Sequence, residues 1–193
     1  MSKEMVTTPS ARSLAEAAKK AQGKGLPPVQ EWTPDFTGDI DMHIARDGTW
    51  YYQGSRIERP GLVGLFSTIL RKEGDRYYLV TPAEKVGITV EDAPFVAVDV
   101  EVEGEGREQM LIFDTNVGDR VVAGPDNPIR VERDETTGEP SPYVHIRAGL
   151  EALIDRKSFY RLVDHGSHHD GWFGLWSDGE FFAIIPSEEM TEA

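Results

Sequence analysis

The chain has 193 residues and no cysteine, and its 20 basic and 34 acidic residues give a formal net charge of −14. This charge disfavours binding to nucleic-acid polymers or anionic lipid, and the lack of cysteine excludes disulfide scaffolds, thiolate nucleophiles and cysteine-ligated zinc. Hydrophobic residues make up 39% of the chain, enough to bury a core, and neither a membrane-spanning run nor a signal peptide is recognisable, so we expect a cytoplasmic protein.

The first 30 residues form an arm whose charge is opposite to that of the remaining chain, with five basic and two acidic residues. Ser10 or Ser13 can cap a short helix in which small apolar residues recur at helical spacing, and Gly23 ends it. Because alanines offer little area to a partner or a lipid surface, we predict that this helix docks on the chain's own acidic body. A partner-binding or lipid-binding arm is the alternative.

Residues 31–93 are predicted to form a first α+β unit. The sequence Asp47-Gly48 is a hairpin signal, and Pro60 is suited to the first position of an amphipathic helix. The predicted elements are a hairpin with strands 39–46 and 49–52, a helix from residue 60 to about 74, and strands 77–81 and 86–90.

Residues 94–193 are predicted to form a second α+β unit that begins with long antiparallel strands. Valines alternate with acidic residues from Val96 to Val102, which indicates a strand with one wet face. The later predicted elements are strands 109–113, 120–123 and 129–132, a helix at 147–156, and strands 159–163, 172–176 and 181–185.

Two regions of the chain are similar at a nearly constant spacing. The Arg-Asp pair at 46–47 recurs 87 residues later, and the Arg-x-Gly-Leu pattern at 59–62 recurs 88 residues later, at 147–150. We therefore predict an internal duplication of two small α/β units with largely antiparallel sheets, an α+β fold in which each unit lays a helix on its sheet. Chance similarity of two amphipathic helices is the alternative.

Arg59 and Arg147 are the first candidate ligand-binding residues. Both are predicted to lie at the start of a helix, where a cation is unfavourable, so an anionic ligand in a groove between the two units would explain both. An internal ion pair, for example with Asp92 or Glu84, explains them as well. The other candidate ligand-binding residues are Lys85, which adds charge, Thr115 and Asn116, which offer hydrogen bonds, Tyr143, which packs on a ring of the ligand, and Asp92.

No motif of established catalytic or cofactor chemistry is present. Gly104-Glu105-Gly106 lacks the third glycine of a dinucleotide fingerprint and is predicted to be a hairpin turn. The cluster at 165–170, which contains His165, His168, His169 and Asp170, is predicted to be a polar turn between strands, with a transition-metal site as the alternative.

Several segments in the same order resemble the bacterial family called domain of unknown function 1285. They lie at 54–59, 62–70, 78–85, 90–95, 115–116 and 142–153. The resemblance implies a core built by domain duplication, with a C-terminal unit superficially similar to pleckstrin-homology folds. It also implies a nucleotide-like ligand at the domain interface and a role in signal transduction, with no assigned enzymatic activity.

We therefore predict a non-enzymatic ligand-binding or sensory module that binds an anionic, nucleotide-like small molecule in an interdomain groove. One alternative is a protein–protein adaptor that uses the C-terminal sheet. Another is a metal-dependent hydrolase that uses Asp92 and Glu84. Enzymatic activity is the less favoured interpretation. The sequence identifies neither a cofactor nor a protein partner.

Overall fold

Residues 10–192 are described by a computed structural model. They fall into two compact units, one ending at Glu91 and the other beginning at Asp92. Lys3 and Glu4, two of the charged residues of the predicted arm, lie outside the described residues. Within residues 10–192, no helix combines the length and the apolar character needed to cross a membrane.

The N-terminal arm contains the predicted helix, α1 (Ala11–Ala21). Ser10 is its N-cap: the Ser10 hydroxyl accepts the Ser13 N–H at 3.1 Å, and the Ser13 hydroxyl accepts the Ser10 N–H at 3.3 Å. Leu14 and Ala18 are fully buried where α1 packs against α2 (Pro60–Thr68) of the same unit. The predicted docking on the chain's own body is confirmed.

The first unit is built on a mixed six-stranded sheet. Its strands are β1 (Phe36–Ile44), β2 (Trp50–Tyr52), β3 (Ser55–Arg56), β4 (Leu70–Glu73), β5 (Arg76–Val80) and β6 (Lys85–Val90). Their order in the sheet is β3-β2-β1-β6-β5-β4; β1 and β6 are parallel and all other neighbours are antiparallel. The sheet therefore consists of two three-stranded meanders joined at a central parallel pair, and α2 connects the two meanders.

Two buried side chains hold α2 and the entry segment of the unit against this sheet. Trp50 stacks on Phe66 of α2 with ring centroids 6.2 Å apart, and both side chains are in the core. Arg71 of β4, only 9% exposed, donates hydrogen bonds to the carbonyl oxygens of Val29 at 3.1 Å and Trp32 at 2.7 Å. The segment that enters the unit is thus fixed to β4 at the edge of the sheet.

The second unit is built on another six-stranded sheet. Its strands are β7 (Phe95–Glu103), β8 (Met110–Thr115), β9 (Arg120–Val122), β10 (Ile129–Arg133), β11 (Pro140–Arg147) and β12 (Leu150–Ile154). Their order is β10-β11-β12-β7-β8-β9, and β12 and β7 form the parallel pair. Numbered within each unit, both sheets have the order 3-2-1-6-5-4, which confirms the α+β fold and its internal duplication.

The alignment predicted for the two copies is wrong, although the duplication is correct. It places 59–62 opposite 147–150, and therefore α2 opposite residues 148–156, which form the turn after β11, the strand β12 and the beginning of the next helix. In the strand order, α2 joins the third and fourth strands of its sheet, and the equivalent connection in the second unit is the loop 123–128. The likeness to pleckstrin-homology folds remains a prediction.

Three predicted elements need correction. The predicted helix 147–156 is the end of β11, a turn and β12, because Leu150, Ala152 and Ile154 are buried in strict alternation. The predicted strand 159–163 belongs to α3 (Arg156–Val163), whose N-cap Asp155 accepts the Ser158 N–H at 2.8 Å. The helix predicted to reach residue 74 ends at Thr68, and β4 follows.

The second unit also contains a three-stranded meander. It consists of β13 (Ser167–His169), β14 (Trp172–Ser177) and β15 (Glu180–Pro186). The buried Ser177 hydroxyl accepts the Leu111 N–H at 2.9 Å and donates to the Ala123 carbonyl at 2.7 Å. These hydrogen bonds fix the small sheet to β8 and to the residue that follows β9.

Candidate functional site

Two of the seven predicted ligand-binding residues belong to the first unit. Arg59 is exposed at the N-cap of α2 and makes no side-chain capping bond, as expected for a cation at that end of a helix. Lys85 lies 3.1 Å from Glu73 and its ammonium is 4.8 Å from the ring centre of Tyr78. The charge of Lys85 is therefore matched within its own sheet.

The other five residues belong to the second unit, and three of them lie at one end of its sheet. Thr115 ends β8, Asn116 follows it, and Arg147 ends β11. Because β12 and β7 are parallel and both begin at this end, the start of β7 lies beside the turn that Arg147 enters. Arg147 therefore lies at a strand–turn junction, and its predicted place at a helix start is wrong.

The guanidinium of Arg147 is held over an aromatic ring. Its carbon lies 5.2 Å from the ring centre of the buried Phe95, and Nη2 lies 3.5 Å from Oδ2 of Asp119. The two charged side chains are only 20% and 21% exposed. The Asp119 N–H in turn donates to the Thr115 hydroxyl at 3.0 Å. The site thus combines a partly desolvated cation, a long ion pair and a hydroxyl-anchored turn.

Asn116 fastens the same end of the sheet. Its Oδ1 accepts the Val96 N–H at 3.0 Å, while its own N–H donates to the Val96 carbonyl at 2.9 Å. This reciprocal pairing holds the beginning of β7 against the residue after β8. Asn116 thus fixes the backbone beside Phe95, whose ring Arg147 contacts.

Tyr143 and Asp92, 51 residues apart, are joined by a hydrogen bond. The Tyr143 hydroxyl donates to Oδ1 of Asp92 at 2.7 Å, and the tyrosine is only 4% exposed. The guanidinium carbon of Arg130 lies 4.5 Å from the centre of the Tyr143 ring. Hydrogen bonds with Glu151 at 3.0 and 3.1 Å raise the pKa of Arg130 above its ordinary value. Tyr143 therefore packs within its own sheet.

The residues of the hydrolase alternative lie in different units. Glu84 precedes β6 in the first unit, where burial raises the pKa of its carboxyl group, and Asp92 opens the second unit. Across residues 10–192, no three histidine, aspartate or glutamate side chains are grouped closely enough to hold a metal ion.

The histidine cluster is partly a strand, whereas the sequence predicted a loop. His168 and His169 end β13, and Asp170 begins the following turn with φ 49°. The His169 ring lies 4.9 Å from the centre of Trp176 and 5.0 Å from that of Phe181. His169 thus packs against aromatic side chains of the small sheet.

Three residues of the second-unit site were missed by the sequence analysis: Phe95, Asp119 and His145. Asp119 stands in the turn between β8 and β9, and a turn aspartate is a common signal that does not reveal its ion-pair partner. His145 lies in β11 and hydrogen-bonds to the Gly149 N–H at 3.0 Å. A histidine four residues before a turn glycine carries no recognised sequence signal.

We expect Ala148→Asn to stabilise the protein. Ala148 has φ 49° and precedes Gly149 in the two-residue turn between β11 and β12. The left-handed region costs alanine roughly 1–2 kcal/mol, and asparagine tolerates it better, so we expect a gain of about 0.5–1 kcal/mol in the free energy of unfolding by urea. The control is Ala83→Asn, at an exposed alanine without a positive φ; equal effects of both substitutions would contradict the explanation.

Both units match domains of one family. Residues 27–93 match the "Domain of unknown function (DUF1285), N-terminal domain", and residues 94–184 match the "Protein of unknown function (DUF1285), C-terminal domain". The duplicated sheets thus define a two-domain α+β protein, and the chain belongs to the DUF1285 family, as its resemblance predicted. A comparison with curated proteins finds no match.

Two crystal structures are similar to this chain. A DUF1285 family protein from Silicibacter pomeroyi DSS-3 is 64% identical with a TM-score of 0.87, and the match covers 93% of this chain and 98% of that one. A DUF1285 family protein from Shewanella baltica OS155 is 29% identical with a TM-score of 0.51, over 64% of this chain and 91% of that one.

Proposed function

We propose that this protein is a non-enzymatic ligand-binding module whose second unit binds an anionic, nucleotide-like small molecule through Arg147. The observation that carries this proposal is the placement of the Arg147 guanidinium over Phe95, with an ion pair of 3.5 Å to Asp119. If the ligand is a signalling nucleotide, the protein acts as a sensor in signal transduction. The predicted interdomain groove remains a prediction.

Arg147 is suited to exchange one anionic partner for another. Charge-assisted hydrogen bonds between guanidinium and oxyanions are typically about 2.7–2.9 Å long. The ion pair between Arg147 and Asp119 is longer, at 3.5 Å, and is therefore weaker than an optimal pair. A phosphate group carries more charge than a carboxylate and accepts two parallel hydrogen bonds from the guanidinium fork. The partial burial of Arg147 strengthens such an interaction, because solvent screens it less.

The surrounding residues favour a small ligand accompanied by a cation. The Asp119 carboxylate lies 3.5 Å from the Arg147 guanidinium and would repel a bare phosphate bound there. A divalent cation bound to the phosphate oxygens would offset this repulsion. Arg59, Lys85, Thr115 and Asn116 remain predicted contacts.

The test is a thermal-shift screen of the full chain against pyrophosphate, nucleoside mono-, di- and triphosphates and cyclic dinucleotides, with and without Mg²⁺. A ligand at about 100 times its Kd adds about 2.7 kcal/mol of stability, which would raise Tm by about 5–10 °C for a chain of 193 residues. We expect such a shift for at least one nucleotide, and its loss in Arg147→Ala.

The matched control is Arg120→Ala on the same sheet. Arg120 is about half exposed and pairs with Asp114 at 2.8 Å, so its replacement should leave the ligand shift intact. A shift that persists in Arg147→Ala, or a screen in which no compound raises Tm, would overturn the proposal. Isothermal titration with any active compound provides the Kd of each variant.

A second candidate function, the protein–protein adaptor, is favoured by two exposed aromatic side chains in the second unit. Trp172 of β14 is 43% exposed and Tyr160 of α3 is 62% exposed. Tryptophan and tyrosine are enriched among residues that dominate protein interfaces. Ligand binding that requires Arg147 favours the first function, whereas a flat screen favours the adaptor.

A further inference from the structure

The ring of His145 is held by two hydrogen bonds of opposite direction. Nδ1 lies 3.2 Å from the Asp126 carbonyl oxygen, and Nε2 lies 3.0 Å from the Gly149 nitrogen. A carbonyl oxygen can only accept and a backbone N–H can only donate, so Nδ1 must carry the proton and Nε2 must offer its lone pair. Both contacts together require the neutral imidazole.

The turn held by Nε2 is strained and lies next to Arg147. It consists of Ala148 and Gly149, with φ values of 49° and 78°, and it connects β11 to β12. The register of the two strands also shifts between His145 and Arg147. The hydrogen bond from Gly149 to His145 spans this irregularity and offsets part of the cost of a left-handed alanine.

We propose that His145 is a positioning residue that closes this turn when it is neutral and releases it when it is protonated. A protonated Nε2–H would face the Gly149 N–H, and two donors cannot share a hydrogen bond. Arg147 immediately precedes Ala148, so release of the turn frees the backbone that holds the guanidinium over Phe95. The position of Arg147 therefore depends on whether His145 carries a proton, and so on pH.

Charged groups of both signs face His145. Glu151 is its cross-strand partner on β12, Arg130 on β10 pairs with Glu151, and Arg147 follows on β11 itself. The loop before β10 contributes Asp126, whose carbonyl receives the Nδ1 proton. Since Glu151 is already bonded to Arg130 at 3.0 and 3.1 Å, the contact that depends most directly on the proton is the one to Gly149.

The turn itself can be tested without any ligand, by NMR of the full chain with ¹⁵N-labelled histidine and backbone. At pH 8 we expect His145 to be the Nδ1–H tautomer. We also expect the protection factor of the Gly149 amide, corrected for the intrinsic exchange rate, to fall at least tenfold at pH 5.5. An Nε2–H tautomer at pH 8, or equal protection at the two pH values, would overturn the proposal.

Two variants separate a proton-dependent role from a merely structural one. His145→Gln is expected to keep Gly149 protected through its side-chain carbonyl and to remove the pH dependence. His168→Gln changes another histidine of the same unit, one that contacts Ser187 at 2.8 Å, and should leave the Gly149 response unchanged. A pH response that persists in His145→Gln would contradict the assignment to His145.

The consequence for ligand binding rests on the proposed function, but the behaviour of the turn does not. For any nucleotide that raises Tm, we expect the wild type to lose at least fivefold more affinity than His145→Gln between pH 8 and pH 5.5. Comparison of the two proteins at each pH cancels the titration of the ligand's own phosphates. Equal losses in both proteins would overturn the link to Arg147, whereas a screen without any ligand would overturn only the proposed function.

Discussion

Gly174→Ala is expected to destabilise the second unit by about 3 kcal/mol, because the added methyl group has no space. A Cβ built on Gly174 would lie 2.2 Å from the carbonyl oxygen of Phe182 and 2.7 Å from Cζ of Phe181. The first of these atoms is backbone of the neighbouring strand β15, so a rotamer change cannot relieve the clash. Gly174 lies in the central strand of the small sheet, beside a register irregularity between β14 and β15.

Urea unfolding followed by circular dichroism measures this effect, and hydrogen exchange over residues 167–186 locates it. The control is Gly64→Ala in α2, where a Cβ meets nothing within 4 Å and alanine favours the helix by about 0.5–1 kcal/mol. The two glycine-to-alanine changes should therefore have opposite signs. Equal stability of both variants would show that the contact between β14 and β15 is not as close as described.

Arg71→Met is expected to destabilise the first unit by about 1–3 kcal/mol. The substitution keeps most of the side-chain volume but removes the Arg71 donor to both carbonyls. The Val29 carbonyl still accepts the Trp32 N–H at 3.3 Å, whereas the Trp32 carbonyl loses its Arg71 donor, and a buried polar group without a partner costs about 1–3 kcal/mol. Glu73 retains its ion pair with Lys85 at 3.1 Å, so the loss arises mainly from the Trp32 carbonyl.

Arg76→Met provides the matched control on the neighbouring strand. Arg76 pairs with Asp39 at 2.7 Å in an exposed position, and such surface pairs contribute little to stability. In Arg71→Met, hydrogen exchange should rise first in the segment around Val29. An Arg71→Met protein as stable as Arg76→Met would mean that the entry segment is held by other contacts.

Local signals in the sequence predicted several elements, and competing periodicities explain the errors. The serine cap of α1 and the proline at the start of α2 each have one simple physical consequence, and both helices begin where predicted. In 150–154, Leu150, Leu153 and Ile154 fit a helix while Leu150, Ala152 and Ile154 fit a strand. The strand pattern is the correct one because pairing with β7 and β11 buries the second set.

The site could be predicted as a set of residues but not as a set of contacts. Strand-end positions such as Thr115 and Asn116 are apparent in the sequence, since polar residues follow an apolar strand there. The pairing of Arg147 with Asp119 could not be predicted, because an ion pair 28 residues apart depends on which strands are neighbours. Asp119 is a partner that the sequence analysis did not name, and the pairing with Asp92 or Glu84 stays a prediction.

The strand order of the two sheets has a consequence for synthesis on the ribosome. In each six-stranded sheet the first strand made, β1 or β7, has the last strand made, β6 or β12, as its parallel central neighbour. A nascent chain that has completed five strands therefore still has an open seam through the middle of its sheet. Each six-stranded sheet can close only after its sixth strand has left the exit tunnel, so a polypeptide truncated shortly before that strand loses the centre of the sheet rather than an edge.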